Sequence, residues 1–168
     1  IRAGFVMRKV VISRPGAEMV IEDHPDPQPA RGEVRIAVAA AGISYADCLV
    51  RKGLYLSANK LVGFPITPGF EFGGVIDAVG DGVDTSRIGQ EVCGLTRFGG
   101  YASHVCVPES QVFPLPDQFR VVEAAGFPTN FVTAWYALHE LCHLRPGFTV
   151  LVHSAAGGVG GALCQVAK

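Results

Sequence analysis

The chain has 168 residues, 49% of them hydrophobic, and a formal net charge of -1, enough apolar content for a substantial core in one large domain or one domain and part of another. Charged residues make up 17% and form no Lys/Arg cluster, which excludes an electrostatic footprint for nucleic acid. Gly, Pro or charge breaks every apolar run well short of the roughly 18 positions that a membrane span requires.

No secretory signal is visible, and Ile1–Val6 reads as an addition ahead of a natural start at Met7. The first two-thirds is punctuated like a β-rich domain. Short Val/Ile-rich runs occur at Arg8–Ile12, Met19–Ile21 and Glu33–Val38, separated by Arg14-Pro15-Gly16 and the extended Pro25–Pro29. A short helix is expected at Tyr45–Lys52, with Asp47 and Arg51 spaced to pair at i,i+4. Strands then follow at Gly73–Val79, in the run through Val92 and at His104–Val107, with a turn at Gly80-Asp81-Gly82. Such spacing favours a barrel or sandwich.

From Val121 the period changes. Phe131, Ala134, Trp135, Leu138, Leu141 and Cys142 recur at helical spacing, up to the breaker Arg145-Pro146-Gly147. Thr149–His153 then reads as a buried strand, and Gly157-Gly158-Val159-Gly160 opens a helix that runs to the end. These are the first pieces of a βαβ unit whose second strand is not in the chain. The five cysteines (Cys48, Cys93, Cys106, Cys142, Cys164) contain no CxxC pair, so neither a zinc knuckle nor a redox dithiol is indicated. Each has apolar neighbours and reads as a reduced thiol acting as a small hydrophobe in a cytoplasmic protein.

Two motifs carry chemistry. Ala155-Ala156-Gly157-Gly158-Val159-Gly160 matches the dinucleotide fingerprint with Ala155 in the first glycine slot. Gly157 lets the backbone approach a pyrophosphate, Gly160 lets the helix pack closely, and the helix N-terminus offers N–H groups to the anion. The acidic or basic residue that distinguishes NAD from NADP falls beyond Lys168. The second motif, His139-Glu140-Leu141-Cys142-His143, spells the zincin H-E-x-x-H. Both histidines sit on the helix rim, the helix stops soon after, and no third ligand follows; chance is the better explanation.

Three further segments, taken with the glycine turn, resemble the medium-chain dehydrogenase/reductase superfamily over essentially the whole chain: Ala41–Asp47, Pro68–Val75 and Gly99–Ala102. Arg51–Tyr55 and Phe127–Ala134 bring the resemblance to the zinc-free quinone oxidoreductases (zeta-crystallin type) and the synaptic-vesicle amine-transport-protein homologues. The resemblance implies an α/β fold, with a GroES-like β-barrel catalytic domain over residues 1–120 and the truncated start of a Rossmann dinucleotide-binding domain over 121–168. Zinc alcohol dehydrogenases of the superfamily carry Cys where this chain has Ser44 and His where it has Phe70. They also carry a four-cysteine lobe that is absent between Cys93 and Gly99. Zinc needs about four N, S or O donors, so no metal is expected.

The implied function is zinc-independent hydride transfer from NADPH, with NADH less favoured, to a quinone or α,β-unsaturated carbonyl. By the resemblance, Ser44, Asn130 and Thr133 bind substrate, and Tyr45 or Tyr55 donates to the developing enolate. Ala155, Ala156, Gly157, Gly158, Val159 and Gly160 bind the cofactor. Asp47 and Glu71 read as structural. A homodimer or a proteolytic product is expected, since a chain ending at Lys168 leaves strand edges uncovered, and the 168 residues alone are not expected to turn over. Two other readings remain: a zinc-type alcohol dehydrogenase with recruited ligands, and a non-catalytic nucleotide-binding or vesicle-associated protein.

Overall fold

The computed structural model describes residues 6–168; of the segment read as an addition, Ile1–Phe5 lies outside the described residues. The chain divides into two compact units, Ile1–Gly126 and Phe127–Lys168. The fold is mixed α/β with antiparallel sheets, as the resemblance implies.

In the first unit, β1 (Val6–Ile12) and β2 (Met19–Pro25) form a hairpin with Val10 opposite Ile21. A five-stranded antiparallel sheet has the order β6-β3-β4-β5-β7. Its strands are β3 (Glu33–Ala41), β4 (Glu71–Val79), β5 (Glu91–Leu95), β6 (His104–Pro108) and β7 (Val112–Pro114). Strand alternation sends Val34 and Ile36 of β3 inward to meet Phe72 and Ile76 of β4, Val92 of β5 and Val107 of β6, all buried. Each such side chain contributes roughly 1.5–3 kcal/mol through its burial.

Gly73 and Gly74 are there because neighbours come too close for a side chain. A Cβ on Gly73 would lie 2.5 Å from the carbonyl oxygen of Val121, and one on Gly74 would collide with that of Ala37. The first contact lays α3 (Val121–Ala124) flat on β4. The second accompanies shifts in the β3–β4 register between Arg35 and Ile36 and between Val38 and Ala40.

A second cluster gathers Ile12, Val50, Ala58 and Ile66 with the partly buried Tyr55, Phe64, Phe70 and Phe98. It draws on β1 and two short helices, α1 (Tyr45–Arg51) and α2 (Leu56–Leu61). Reciprocal backbone bonds between Ile12 and Ile66, at 2.9 and 3.0 Å, attach β1 to it.

The second unit holds α4 (Pro128–Trp135), which begins with Pro128 in the first turn, where a missing N–H costs nothing. It continues as a π-helix over Tyr136–Leu141 and not as one regular α-helix. Of the expected apolar stripe, Ala134 and Leu138 are buried while Trp135 and Leu141 are exposed. Against α4 packs α5 (Gly158–Val166), through the buried Gly160 and Ala162.

The strand expected at Thr149–His153 does not form. Thr149–Val152 pairs with no strand among the described residues, and Leu151 is 82% exposed. A strand is defined by its ladder partners, and these residues have the composition for one without the neighbour. The cysteines also depart from expectation: all are free, but only Cys93 is buried, and Cys48 and Cys142 are exposed. Among the described residues no helix is long and apolar enough to cross a membrane.

Candidate functional site

Asp47 is the polar centre of the first unit. It is 3% exposed in a helix that starts at Ser44, and its carboxylate collects donors from three segments. The Ser44 N–H reaches Oδ2 at 2.9 Å and the Ser44 hydroxyl reaches the same oxygen at 3.3 Å. The Gly69 N–H reaches Oδ1 at 3.0 Å, and the Tyr101 hydroxyl donates to Oδ2 at 2.9 Å. Burial, reinforced by this bond to Asp47, pushes the Tyr101 phenol far above its usual range, so Tyr101 is held neutral.

The expected Asp47–Arg51 pair is therefore corrected. Arg51 Nε instead donates to the carbonyl of Ala17 at 3.0 Å. Helical spacing would allow the pair, but Asp47 faces inward, where donors from other segments are already fixed. Tyr101 was not singled out by sequence reasoning; the signal available was its place in Gly99-Gly100-Tyr101-Ala102. Glu71 is also buried, and its side chain fills the space where Gly42 has no Cβ.

Ser44 is half-buried, Tyr45 is 74% exposed, and Tyr55 lies at the start of α2. The Tyr55 ring belongs to an aromatic trio, 5.4 Å from Phe70 and 6.2 Å from Phe98, with Phe70 and Phe98 5.5 Å apart. Phe70, at the position where zinc enzymes of the superfamily carry His, is thus a packing residue.

In the second unit the Asn130 amide rests on Gly158, where an added Cβ would lie 2.7 Å from Oδ1. Thr133 Oγ1 donates to the Thr129 carbonyl at 2.6 Å, within α4. Residues Ser154–Ala156 form a turn closed by the Gly157 N–H on the Ser154 carbonyl at 2.9 Å, and Gly157 caps α5. A Cβ on Gly160 would collide with the Ser154 carbonyl oxygen, whereas one on Gly157 would lie 3.3 Å from that atom and otherwise in open space. Gly160 therefore sets how closely turn and helix approach, and Gly157 leaves the turn open at the helix N-terminus. Ala155 and Ala156 lie in this turn and Val159 in the first turn of α5, all three exposed.

His139 and His143 do not share a helix rim. The His139 ring packs tilted against Trp135 with centroids 5.2 Å apart, and His143 lies past the helix with a left-handed φ of 48°. Among the described residues no group of three or more His, Cys, Asp or Glu could hold a metal ion.

Away from these residues, Arg35 on β3 forms a two-point bond to Asp77 on β4, at 2.9 and 3.0 Å, and reaches the Pro27 carbonyl at 3.2 Å. His104 stands 3.5 Å from Asp77 and 3.9 Å from Asp26.

The model of the alcohol dehydrogenase GroES-like domain matches residues 30–117. A mouse synaptic vesicle membrane protein VAT-1 homolog-like is 40% identical over 162 residues, covering 95% of this chain and 38% of that relative. The CurK enoyl reductase structure superposes with a TM-score of 0.90 at 35% identity, covering 96% of this chain and 51% of that one. The quinone oxidoreductase of Thermus thermophilus, solved also in complex with NADPH, gives 0.82 at 37% identity, covering 95% and 49%. The chain thus spans about two-fifths of the curated relative and about half of each solved chain. With more than half its length matched by that model and its motifs in superfamily order, the chain belongs to the alcohol dehydrogenase GroES-like family, within the medium-chain dehydrogenase/reductase superfamily.

Proposed function

We propose that the protein is a zinc-independent oxidoreductase that passes hydride from NADPH to a quinone or an α,β-unsaturated carbonyl. The observation that carries this is Phe70 packed against Tyr55 and Phe98. A hydrocarbon ring cannot ligate zinc, and Ser44 directs its hydroxyl at Asp47, so the residues present do not fit a catalytic zinc site. Without a Lewis acid, an unconjugated ketone loses several kcal/mol of polarisation. A conjugated acceptor delocalises the incoming charge by itself.

The glycine turn supports the cofactor half of the reading. The open space at Gly157 and the start of α5 are what a pyrophosphate needs, so Ala155–Gly160 would hold the dinucleotide. Bound nicotinamide would supply the hydride. The chain's own residues then orient the acceptor and manage its proton. Ser44, Asn130 and Thr133 are proposed to position the acceptor, and Tyr55 or Tyr45 to donate to the oxygen that gains charge. Residues 1–120 would be the catalytic part and 121–168 the beginning of the cofactor-binding part.

The test is NADPH oxidation against a panel of quinones and enones, in a protein extended to the length of its relatives. Turnover without stoichiometric zinc is expected; one zinc per chain retained through dialysis overturns the metal-free reading. The 40% identity to a protein named for the synaptic vesicle membrane favours a second reading, a nucleotide-binding protein without turnover. Tight NADPH binding with no oxidation across the whole panel would select it.

A further inference from the structure

Resting on the oxidoreductase reading above, the geometry points to Ser44 as a hydrogen-bond acceptor toward its ligand, with Asp47 as the positioning residue that fixes this polarity. A serine hydroxyl carries one proton and two lone pairs, so what it offers a ligand depends on where the proton is held. Ser44 Oγ lies 3.3 Å from Asp47 Oδ2, and a carboxylate only accepts. The backbone N–H groups of Ser44 and Gly69 donate to the two carboxylate oxygens at 2.9 and 3.0 Å. Backbone amides cannot reverse roles, so both oxygens are kept as acceptors. Tyr101, neutral for the reason given above, spends its own proton on the same carboxylate. The Ser44 proton is thereby drawn toward a buried residue, and its lone pairs are left for the half-buried outer side.

The group opposite Ser44 is then an N–H or O–H of the ligand. A carbonyl oxygen gaining negative charge there would meet lone pairs and be repelled, so Ser44 selects the orientation in which that oxygen lies elsewhere. Ser44 is a specificity residue and not the proton donor.

Two naphthoquinones of similar shape separate the possibilities: 2-methylamino-1,4-naphthoquinone, which has an N–H, and its 2-dimethylamino analogue, which has none. Their affinities are measured by calorimetry, with NADPH present, for the extended protein, Ser44→Ala, Asp47→Asn and Tyr101→Phe. One neutral hydrogen bond is worth about 1 kcal/mol, or roughly fivefold in affinity. The ratio of the two affinities is expected to fall by about fivefold in Ser44→Ala. It should persist in Asp47→Asn, whose amide oxygen takes the Oδ2 position to which Ser44 and Tyr101 donate, and in Tyr101→Phe, which leaves the Ser44–Asp47 bond in place. If Asp47→Asn does not fold, Ser44→Ala alone decides. An unchanged ratio in Ser44→Ala overturns this inference, and quinone turnover by the unsubstituted extended protein then leaves the proposed function standing. Failure of both quinones to bind the unsubstituted extended protein overturns this inference, whereas the proposed function falls only if the whole quinone and enone panel is left unreduced.

Discussion

Gly157 and Gly160 stand three residues apart in one motif, yet the structure gives them different tasks. A Cβ at 160 collides with the Ser154 carbonyl, whereas at 157 it is merely tight. Gly160→Val is expected to destabilise the second unit by about 1–3 kcal/mol, the usual cost of overpacking, visible as a lower urea midpoint. Gly157→Val should leave that midpoint nearly unchanged and abolish nucleotide binding in the extended protein; unaltered NADPH affinity would show that the turn serves structure alone. Cys106 offers a second test. Burial, the largest cause, with Glu33 and Asp77 adding to it, pushes its thiol up to about 11. At pH 8 its thiolate is about a thousandfold scarcer than its thiol, so a maleimide should label the exposed Cys48 and Cys142 long before Cys106. Because the folded value lies above the ordinary 9.0, the group favours the folded state below about pH 9. That preference is lost as pH rises toward 11, when the unfolded thiol ionises first. The structural role of Asp47 was legible in the sequence, but its partner was not. Arg51 is near in sequence, while Gly69 and Tyr101 come near only through the fold.

The strands of the first unit were legible because their Val/Ile runs are bounded by turn residues, and the observed elements differ from the reading mainly at their ends. Among the elements that escaped it are β7 and α2. In β7, Val112 is the single buried residue of three, and in α2 only Ala58 is buried, so neither shows a period. The failed strand at Thr149–His153 makes the opposite point: composition proposes a strand, and neighbours decide whether it exists. In hydrogen exchange, amides of Thr149–Val152 are expected to exchange close to the intrinsic rate, while those of β3 and β4 stay protected. Strong protection across Thr149–Val152 in this 168-residue chain would mean that it has found a partner strand. The β3–β4 pairing has a polar fastener in Arg35 and Asp77, with side chains 16% and 28% exposed. Asp77→Ala leaves the guanidinium without its two-point acceptor and should cost about 2 kcal/mol of unfolding free energy, read from the urea midpoint. A change below about 0.5 kcal/mol would show that the Pro27 carbonyl and solvent replace the carboxylate.

At the scale of the molecule, both buried clusters of the first unit lie within residues 1–126, so residues 6–126 are expected to fold by themselves. A cooperative urea transition at a midpoint matching that of the 168-residue chain would bear this out, and a broad, non-cooperative loss of structure would refute it. Cofactor choice belongs to this scale as well. The glycine turn accounts for a pyrophosphate, whereas the residue that reads the ribose phosphate was not legible, because the position where it is expected falls beyond Lys168. In the extended protein NADPH should bind more tightly than NADH; equal affinities in calorimetry would remove that preference.

The contact between Gly42 and Glu71 has a consequence for how this sequence can vary. The Glu71 side chain occupies the volume that any other residue at 42 would need, with its Cγ 2.5 Å from the missing Cβ. A side chain at 42 must therefore displace the buried Glu71 side chain or follow its shortening, and either step disturbs the interactions of a buried carboxylate. Each single step leads downhill in stability, and only the pair of changes restores a filled interior. The two sites are coupled through one shared volume, so a change at either is expected to be better tolerated once the other has made room for it.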